Sequence, residues 1–259
     1  RRRLFDRIPP PDPEMFRHVQ TRDGRVDLWC EIPAGEGWIG SPDDEEGHNG
    51  NEGPRHRITV ERRFWLGAVP VTQFQYAAFD PHKADSMKPD HPAVRVDWYE
   101  SVAFCRWLSL AFPGARLPTE EEWEYACRAG TTTRFWKGNG EEVLAEVGWY
   151  DKNSGGIHAV GDKAANPWGL YDVHGNVWEW TVSPWKDDYS KQKDGLAVDS
   201  DALPENLAAP RARRVIRGGC FADSADWARS AYRGFWHPWD RWWYQGFRVL
   251  VSRPPAPGL

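Results

Sequence analysis

The chain has 259 residues, of which 40% are hydrophobic and 27% charged, and this composition suits a globular protein with a sizeable core. Its formal net charge of −5 argues against a general nucleic-acid binder, since such proteins are normally basic, and the lack of any long apolar run predicts no membrane insertion. Tryptophan is unusually frequent, with 17 residues spread along the chain from Trp29 to Trp243.

The first part of the chain alternates between strand patterns and polar loops. Residues 1–24 place a proline-rich stretch among charges, which is typical of a linker or N-terminal extension. Apolar and polar residues alternate over residues 26–32, and residues 57–66 are again strand-like, so both stretches predict strands. Between them, residues 43–54 are acidic and glycine-rich, which predicts a surface loop.

Three short helices are predicted next, each marked by a capping residue. We expect them at about residues 73–80, 98–111 and 120–129. Thr72 and Asp97 are suitable N-caps for the first two helices. Thr119 and Glu122 form a capping box at the start of the third.

The remainder of the chain shows little periodicity until its end. Between residues 130 and 210, Gly, Asn, Asp and Pro recur, which indicates loops that are functional or stapled by ions. Residues 215–217 and 247–251 predict two strands that frame the segment between them, and we expect strands near the two termini to pair. The sequence therefore predicts one domain over residues 25–253 and a tail at 254–259.

The segment framed by the last two strands is dense in large rings. Ten aromatic residues lie between Cys220 and Phe247. They follow neither the helical nor the strand period for long, and Pro238 excludes a helix interior or a central strand. This pattern predicts a loop, and a contiguous exposed apolar loop usually marks an interaction site. The alternative is that several of these rings point inward as core.

The four cysteines show no CxxC or metal-finger spacing. Cys105 and Cys127 lie in apolar helical patterns, which is typical of core thiols. We also expect no signal peptide, and together these features favour a reducing, cytoplasmic setting, while surface display remains open. Because the chain begins with Arg1-Arg2-Arg3, we expect a fragment or processed form that is attached to an upstream domain.

Several motifs occur in an order that resembles one known family. They are Glu31-Ile32-Pro33-Ala34-Gly35, Pro54-Arg55-His56-Arg57, Val71-Thr72-Gln73-Phe74-Gln75-Tyr76, His91-Pro92-Ala93-Val94, residues 116–126, 166–172 and 175–180, Arg217-Gly218-Gly219, and Gly246-Phe247-Arg248. Their order and spacing are similar to the formylglycine-generating-enzyme, or sulfatase-modifying-factor, family from about residue 26 to 252. The resemblance implies an α+β, C-type-lectin-like fold with few regular elements and much ordered loop.

The enzymes of this family resemble one another in a pair of cysteines shortly after the Arg-Gly-Gly, where copper is held and oxygen is activated. Soft thiolates suit Cu(I), so this chemistry needs both sulfurs. After Gly219 this chain has only Cys220, at a position where the enzymes usually have serine. We therefore expect no copper and no catalytic residues. A copper-dependent formylglycine-generating oxidase is the alternative.

The variable proteins of diversity-generating retroelements resemble this family's fold and match the end of the chain better. Their closing pattern corresponds here to Arg217-Gly218-Gly219, Arg229-Ser230-Ala231-Tyr232-Arg233, Pro238, Arg241 and Gly246-Phe247-Arg248. The resemblance implies that these fixed residues hold the backbone. It also implies that the residues between them are diversified to bind different targets.

The function implied by this resemblance is a non-catalytic protein whose aromatic-rich surface binds a protein or peptide ligand. The expected ligand-binding residues are Asp223, Ser224, Asp226, Trp227, Tyr232, Phe235, Trp236, His237, Trp239, Trp242, Trp243, Tyr244 and Gln245. Diversification of Asn codons at adenines does not readily produce Trp. The tryptophans are therefore either fixed by the template or part of a binder that is not diversified.

One turn carries residues suited to a structural calcium ion. The four expected ligands are Asp172, Gly175, Val177 and Glu179. Carboxylates that flank turn carbonyls form a hard-oxygen set that suits Ca²⁺, and the family's enzymes have a similar set at this spacing. The alternative is a Trp-lined turn in which Glu179 hydrogen-bonds to the backbone. His174 and His237 are lone imidazoles, more typical of packing or surface residues than of ligands.

Overall fold

Helices and strands in the computed structural model are short and are joined by long loops. The structure describes residues 8–85, 87–192, 194–199 and 211–253, so the expected tail at 254–259 lies outside the described residues. The helices in these ranges are α1 (Gln73–Ala77), α2 (Trp98–Leu108), α3 (Glu120–Arg128) and α4 (Glu141–Val147). None of them is long and apolar enough to cross a membrane.

The strands of the described ranges form four small sheets. They are β1 (His18–Thr21), β2 (Gly24–Asp27), β3 (Trp29–Ile32), β4 (Gly35–Ile39), β5 (His56–Val60), β6 (Phe64–Gly67), β7 (Trp178–Pro184), β8 (Leu196–Val198), β9 (Arg214–Arg217), β10 (Gly234–Trp236), β11 (Gln245–Phe247) and β12 (Leu250–Val251). The sheet orders are β10-β9-β7-β11, β12-β6-β3, β4-β5-β8 and the hairpin β1-β2. This combination confirms the predicted α+β class.

The three predicted helices are confirmed, and their caps explain where they begin. The side chains of Thr72, Asp97 and Thr119 each accept a hydrogen bond from the backbone N–H three residues later. The side chain of that later residue in turn accepts from the N–H of the cap, which completes a capping box. The sequence does not predict α4, because its N-cap, Gly140, has no capping side chain and the helix buries only two residues.

The strand predictions are right in location but wrong in continuity. The stretch at 57–66 consists of two strands, β5 and β6, which belong to different sheets. The stretch at 26–32 likewise divides into β2 and β3. The strands near the two termini, β3 and β12, do not pair with each other, because each pairs with β6 from an opposite side.

Residues 9–24 belong to the folded domain, which corrects the expectation of a linker. Phe16 is 1% exposed and packs edge-on against Trp107 and Phe112, with ring centroids 6.0 and 5.9 Å away. Trp107 Nε1 also donates a hydrogen bond of 2.7 Å to the carbonyl of Pro9. The composition of this stretch gives no sign of docking, because the docking depends on contacts with residues that are distant in sequence.

The largest hydrophobic cluster lies between α2 and the central four-stranded sheet. It includes Phe104, Trp180 and Phe247, which are all fully buried. Several half-buried rings of the 217–248 segment pack against it. Cys105 and Cys127 are 2% and 0% exposed, so the prediction that they are core thiols is confirmed.

Candidate ligand-binding face

The aromatic segment leaves β9 through a turn that favours glycine. Gly218 and Gly219 have φ angles of +94° and +71°, which side chains rarely adopt. A Cβ atom at Gly219 would lie 2.8 Å from the carbonyl oxygen of Trp227. The two glycines therefore let the chain fold back against the short 3₁₀ helix Ala225–Ala228, which carries Trp227.

Five arginines tie the segment to carboxylates elsewhere in the chain. The pairs are Arg217–Glu124, Arg229–Glu52, Arg233–Glu120, Arg241–Asp97 and Arg248–Glu179. The arginine side chain is fully buried in all but one of them, whereas that of Arg241 is 51% exposed. Removing one partner of a buried pair typically costs about 3–5 kcal/mol, because the remaining charge is left unpaired. The segment is therefore held in place by charged groups.

The same guanidinium groups also bind backbone carbonyls, which fixes the path of the chain. Arg217 Nη1 donates to the carbonyls of Ala231 and Tyr232 at 2.9 and 2.7 Å. Its other partner, Glu124, is fully buried. Burial alone raises the pKa of Glu124, but Arg217 and Arg128 together hold this pKa below its usual range. The carboxylate therefore stays ionised and keeps its arginines in place.

The acidic loop at residues 43–54 supplies part of this anchoring, although the sequence predicts only a surface loop. Glu52 is 0% exposed, and its two oxygens accept hydrogen bonds of 2.6 and 2.8 Å from Arg229. Glu45 accepts from the same guanidinium at 2.8 Å. Composition alone cannot distinguish a solvated carboxylate from one that a distant arginine buries.

Several rings of the segment remain accessible to solvent. Trp227, Trp239, Trp242 and Trp243 are 43, 52, 41 and 47% exposed. Tyr232, Phe235, Trp236 and Tyr244 are half-buried. We call the following set the aromatic face: Trp227, Tyr232, Trp236, Trp239, Trp242, Trp243 and Tyr244. The structure thus answers the question left open by the sequence, because some rings point inward while four tryptophans do not.

Except for Trp239, which stacks on His237, the rings of the aromatic face support one another in two groups. Trp242 and Tyr244 lie parallel with their centroids 6.1 Å apart, and Trp243 meets Tyr244 edge-on at 5.4 Å. Trp227 stacks on Tyr232 at 5.4 Å. Aromatic pairs contribute about 0.5–1.5 kcal/mol beyond their buried area. The rings are therefore held in position before any ligand binds.

The turn at residues 237–240 is fixed by its own contacts. His237 and Trp239 stack with their centroids 4.8 Å apart, and His237 is exposed, as the sequence predicts for a surface imidazole. The backbone N–H of His237 donates to the carboxylate of Asp240 at 2.9 Å. The carbonyl of Pro238 accepts from the N–H of Trp98 at 3.1 Å, which joins the turn to the start of α2.

Two of the expected ligand-binding residues are placed differently from the prediction. Gln245 is 0% exposed, because it belongs to β11, which pairs with β7. It is therefore removed from the candidate binding residues. Phe235 packs against Trp185 and under the guanidinium of Arg213, at centroid distances of 4.6 and 4.2 Å. The sequence pattern missed β10 and β11, because each is only three residues long.

The polar residues expected near the start of the segment differ in their roles. Ser224 is exposed. Asp223 accepts from the N–H of Cys220 at 2.9 Å, and burial raises its pKa. Asp226 is half-exposed and pairs with Arg134. Both aspartates therefore help to fix the backbone, and Ser224 is the better placed of the three to contact a ligand.

Cys220, the cysteine that follows the glycine turn, is 1% exposed. Burial raises the pKa of its thiol above the usual range, so the thiol is protonated at neutral pH. All four cysteines are free. Within the described ranges, no group of three or more His, Cys, Asp or Glu side chains could hold a metal ion. Cu(I) binds thiolates, whereas the Cys220 thiol is buried and protonated.

In the turn expected to bind calcium, both carboxylates are engaged by other groups of the protein. Both oxygens of Glu179 accept hydrogen bonds of 2.7 Å from Arg248, and one also accepts from Trp123 Nε1 at 2.7 Å. Asp172 accepts from the N–H of Gly161 at 2.7 Å, and burial raises its pKa to about 6. Calcium requires six or more oxygen ligands, whereas here a guanidinium already neutralises the glutamate. The partners of Glu179 are side chains, which contradicts the alternative of a backbone-bonded glutamate.

His174 joins the aromatic segment to a neighbouring loop. It is 0% exposed, its Nδ1 donates to the carbonyl of Ala228 at 2.7 Å, and its Nε2 accepts from the N–H of Trp136 at 3.1 Å. Burial lowers its pKa to about 4, so the ring is neutral at physiological pH. It is a packing residue, which was the prediction favoured by the sequence.

A surface pocket that the sequence does not predict lies beside the aromatic face. It has a volume of about 280 Å³, and Lys88, His91, Arg95 and Trp243 are among the residues that line it. The first three come from the loop before α2. No sequence pattern brings this loop next to the C-terminal segment, because the contact depends on tertiary structure.

The fold and the face together define a loop-rich, C-type-lectin-like α+β domain that displays aromatic rings on a scaffold of buried ion pairs. The chain belongs to the sulfatase-modifying-factor family, since the Sulfatase-modifying factor enzyme 1-like domain matches residues 16–253. It is 33% identical over 180 residues to the inactive C-alpha-formylglycine-generating enzyme 2 of Bos taurus, which covers 65% of this chain and 48% of that protein. Relatives named formylglycine-generating enzyme also match. The chain spans about half the length of these curated relatives.

Two solved structures are similar over nearly their whole length. PvdO from Pseudomonas aeruginosa has a TM-score of 0.75 and 27% identity, with 91% of this chain and 97% of that chain covered. Treponema denticola variable protein 1 has a TM-score of 0.74 and 24% identity, with 91% and 98% covered. The second similarity establishes the fold alone.

Proposed function

We propose that this protein is a non-catalytic binding module that presents its aromatic face to a protein or peptide ligand. The observation that carries the proposal is that four tryptophans stay about half exposed on a segment held by buried ion pairs. Exposed large apolar surface usually marks an interaction site on a soluble protein. The packing of the described residues gives no structural reason for these rings to lie at the surface.

The chemistry of the face suits protein recognition. Trp and Tyr offer large rigid contact areas with only two χ angles to order, which is why natural paratopes favour them. Binding hot spots are enriched in the same residues, and truncating such an anchor costs about 2 kcal/mol or more of binding free energy. Because the rings already contact one another, little of that energy is lost in ordering them.

The positions between the anchors also suit diversification. The accessible residues there include Ala222, Ser224, Trp227, His237 and Trp239. None of these five side chains is one of the arginines that hold the segment, so changing them leaves the anchors intact. The DNA beside the gene tests this part of the proposal. A near-copy of codons 220–247 that differs at adenines, close to a reverse-transcriptase gene, is the expected finding, and its absence would favour a fixed binder.

The alternative function is a copper-dependent formylglycine-generating oxidase, because relatives with that activity in their names match this chain. Burial and the raised pKa of Cys220 argue against it, since copper needs accessible thiolates. Incubation with copper and a sulfatase-motif peptide that contains a cysteine tests the alternative. Conversion of that cysteine to an aldehyde would move this protein to the enzyme class.

The binding proposal is tested by selecting peptides from a random display library on the immobilised protein. We expect Trp243→Ala and Trp239→Ala to lose the selected peptides while melting close to the wild type. Trp38→Ala is the matched control, because Trp38 is 38% exposed and lies outside the aromatic face. Equal binding by Trp243→Ala, Trp239→Ala and the wild type would contradict the proposal.

A further inference from the structure

The pocket beside Trp243 is lined by an unusual excess of cationic groups. Its charged and polar lining residues include Lys83, Asp85, Lys88, His91 and Arg95, with Trp243 forming one wall. Asp85 is the single carboxylate among the described lining residues, whereas there are three permanent cations. This excess stands out in a chain whose net charge is −5.

The backbone of Arg95 is held in a conformation that non-glycine residues rarely adopt. Its φ angle is 59°, in the left-handed region, and its N–H donates to the carbonyl of Trp242 at 3.2 Å. Such conformations cost free energy and cluster at binding sites, where the surrounding structure maintains them. The hydrogen bond fixes the position of Arg95 relative to the aromatic face.

The side chain of Arg95 is exposed and has no ion-pair, hydrogen-bond or ring partner among the described residues. Lys88 likewise has no ion-pair partner there, whereas Lys83 pairs with Glu100. The five arginines of the 217–248 segment, in contrast, all have carboxylate partners. The pocket therefore holds two cations whose charge the described part of the protein leaves unpaired.

The walls of the pocket are fixed by a buried amide. Gln73 is 7% exposed, its Nε2 donates to the carbonyl of Pro92 at 3.0 Å, and its Oε1 accepts from the N–H of Asp85 at 3.0 Å. One side chain thus joins the two ends of the loop that supplies the cations. Because these hydrogen bonds restrict the loop, less conformational entropy is lost when a ligand binds.

We infer that this pocket receives an acidic side chain of a peptide ligand whose neighbouring apolar side chain packs on Trp243. The planar guanidinium of Arg95 matches a carboxylate with two parallel hydrogen bonds, and Lys88 adds charge attraction. The inference rests on the proposed binding function and names the class of ligand, an acidic peptide. A phosphorylated side chain presents the same anionic chemistry.

The first test is the composition of the peptides selected from the random display library. We expect Asp or Glu within one or two residues of an aromatic or large aliphatic residue. Selection on Arg95→Gln should keep the apolar residue and lose the acidic one. Melting curves of the variant show whether the fold is retained, and Lys88→Gln provides a second variant whose backbone is unstrained.

The second test is the affinity of one selected peptide, measured by titration calorimetry at low and high salt. Arg95→Gln should weaken binding roughly tenfold or more, since hydrogen bonds to charged groups are worth about 1.5–3 kcal/mol. Arg106→Gln is the matched control, because Arg106 is an exposed arginine of α2 that does not line the pocket. High salt should weaken the wild type and have little effect on Arg95→Gln.

Peptide variants separate the sources of the anionic group. Replacing the acidic residue by Gln should reproduce the loss caused by Arg95→Gln, and replacing it by phosphoserine should retain binding. Selected peptides without an acidic bias, bound equally by the wild type and Arg95→Gln, would overturn the inference while leaving the proposed function intact. If no peptide could be selected at all, the result would contradict both the inference and the proposed function.

Discussion

In the 217–248 segment most arginines are buried and several tryptophans are exposed, which is the reverse of the usual distribution of these residues. The side chains of Arg217, Arg229 and Arg248 are fully buried, whereas Trp239 and Trp243 are 52 and 47% exposed. Arginine is ordinarily among the most exposed residues, and large rings are ordinarily mostly buried. The difference indicates that the charged groups of this segment maintain the fold, while its apolar groups are left for binding.

This separation has a physical advantage for a surface that must change. If hydrophobic side chains held the segment in place, the same residue types would serve both anchoring and binding. An arginine instead pairs with a specific carboxylate. Each buried guanidinium here meets its own glutamate from another part of the chain, such as Glu52 or Glu120. Ring substitutions between the anchors then leave the pairing unchanged.

The largest effect should follow from breaking one anchor. Arg248→Met leaves Glu179 buried and without its guanidinium, so we expect a loss of about 3–5 kcal/mol in the free energy of unfolding. Chemical denaturation of the variant and the wild type measures it. A loss below about 1 kcal/mol would contradict the view that charge pairs maintain this segment.

The control for that prediction removes both charges. Arg248→Met combined with Glu179→Leu should recover part of the lost stability, because no unpaired charge then remains. A double variant no more stable than Arg248→Met would mean that packing, rather than charge, determines the effect.

The fold could be predicted from the sequence where short local signals determine it. The capping boxes at Thr72, Asp97 and Thr119 locate three helices, because each signal lies within four residues of the helix it starts. α4 has no such side-chain signal, and the docking of Phe16 depends on contacts with α2 that are distant in sequence. Helix α4 and the docking of Phe16 could therefore not be predicted from local sequence patterns.

A second prediction concerns the neutral histidine under the segment. The pKa of His174 is lowered to about 4, below its unfolded value of 6.5, so its contribution to stability is present above pH 6.5 and is lost as the pH falls towards 4. Between pH 6.5 and 5 the loss of stability amounts to about 1.5 kcal/mol. Unfolding titrations at a series of pH values measure it.

The matched variant for this prediction is His174→Asn, which keeps a donor near the position of Nδ1. The stability difference between wild type and variant should shrink as the pH falls from 6.5 to 5. Asp172 acts in the opposite sense, since its pKa is raised to about 6, but it is present in both proteins and cancels. A difference that does not change with pH would contradict a buried neutral imidazole.

The sequence predicts which segment carries the binding residues, but not which of its side chains are exposed. Ring density and Pro238 locate the loop, but they do not show that Gln245 lies in a strand or that Phe235 packs against Trp185. Exposure depends on the two three-residue strands at the ends of the loop. Arg95 carries no sequence signal, because only tertiary contact brings it to Trp242.

A third prediction compares an exposed ring with a buried one. Trp239→Ala should change the free energy of unfolding by no more than about 0.5 kcal/mol, as is usual for surface positions. Trp180→Ala, at a position 0% exposed, should lose about 3–5 kcal/mol. Trp236 is half-buried, so its truncation should fall between these values. Similar losses in the free energy of unfolding for Trp239→Ala and Trp180→Ala would mean that the aromatic face is part of the hydrophobic core.

The smallest expected effect is that of calcium. Because Arg248 already neutralises Glu179, we expect the protein to melt at the same temperature with calcium and with a chelator. Glu179→Ala should destabilise the protein equally under both conditions, since it leaves the buried guanidinium of Arg248 unpaired rather than removing a metal ligand. Calorimetric melting of both proteins in the two buffers measures this. If calcium raised the melting temperature of the wild type but not of Glu179→Ala, the turn would be a metal site, and the anchoring of the segment would depend on an ion as well as on arginine.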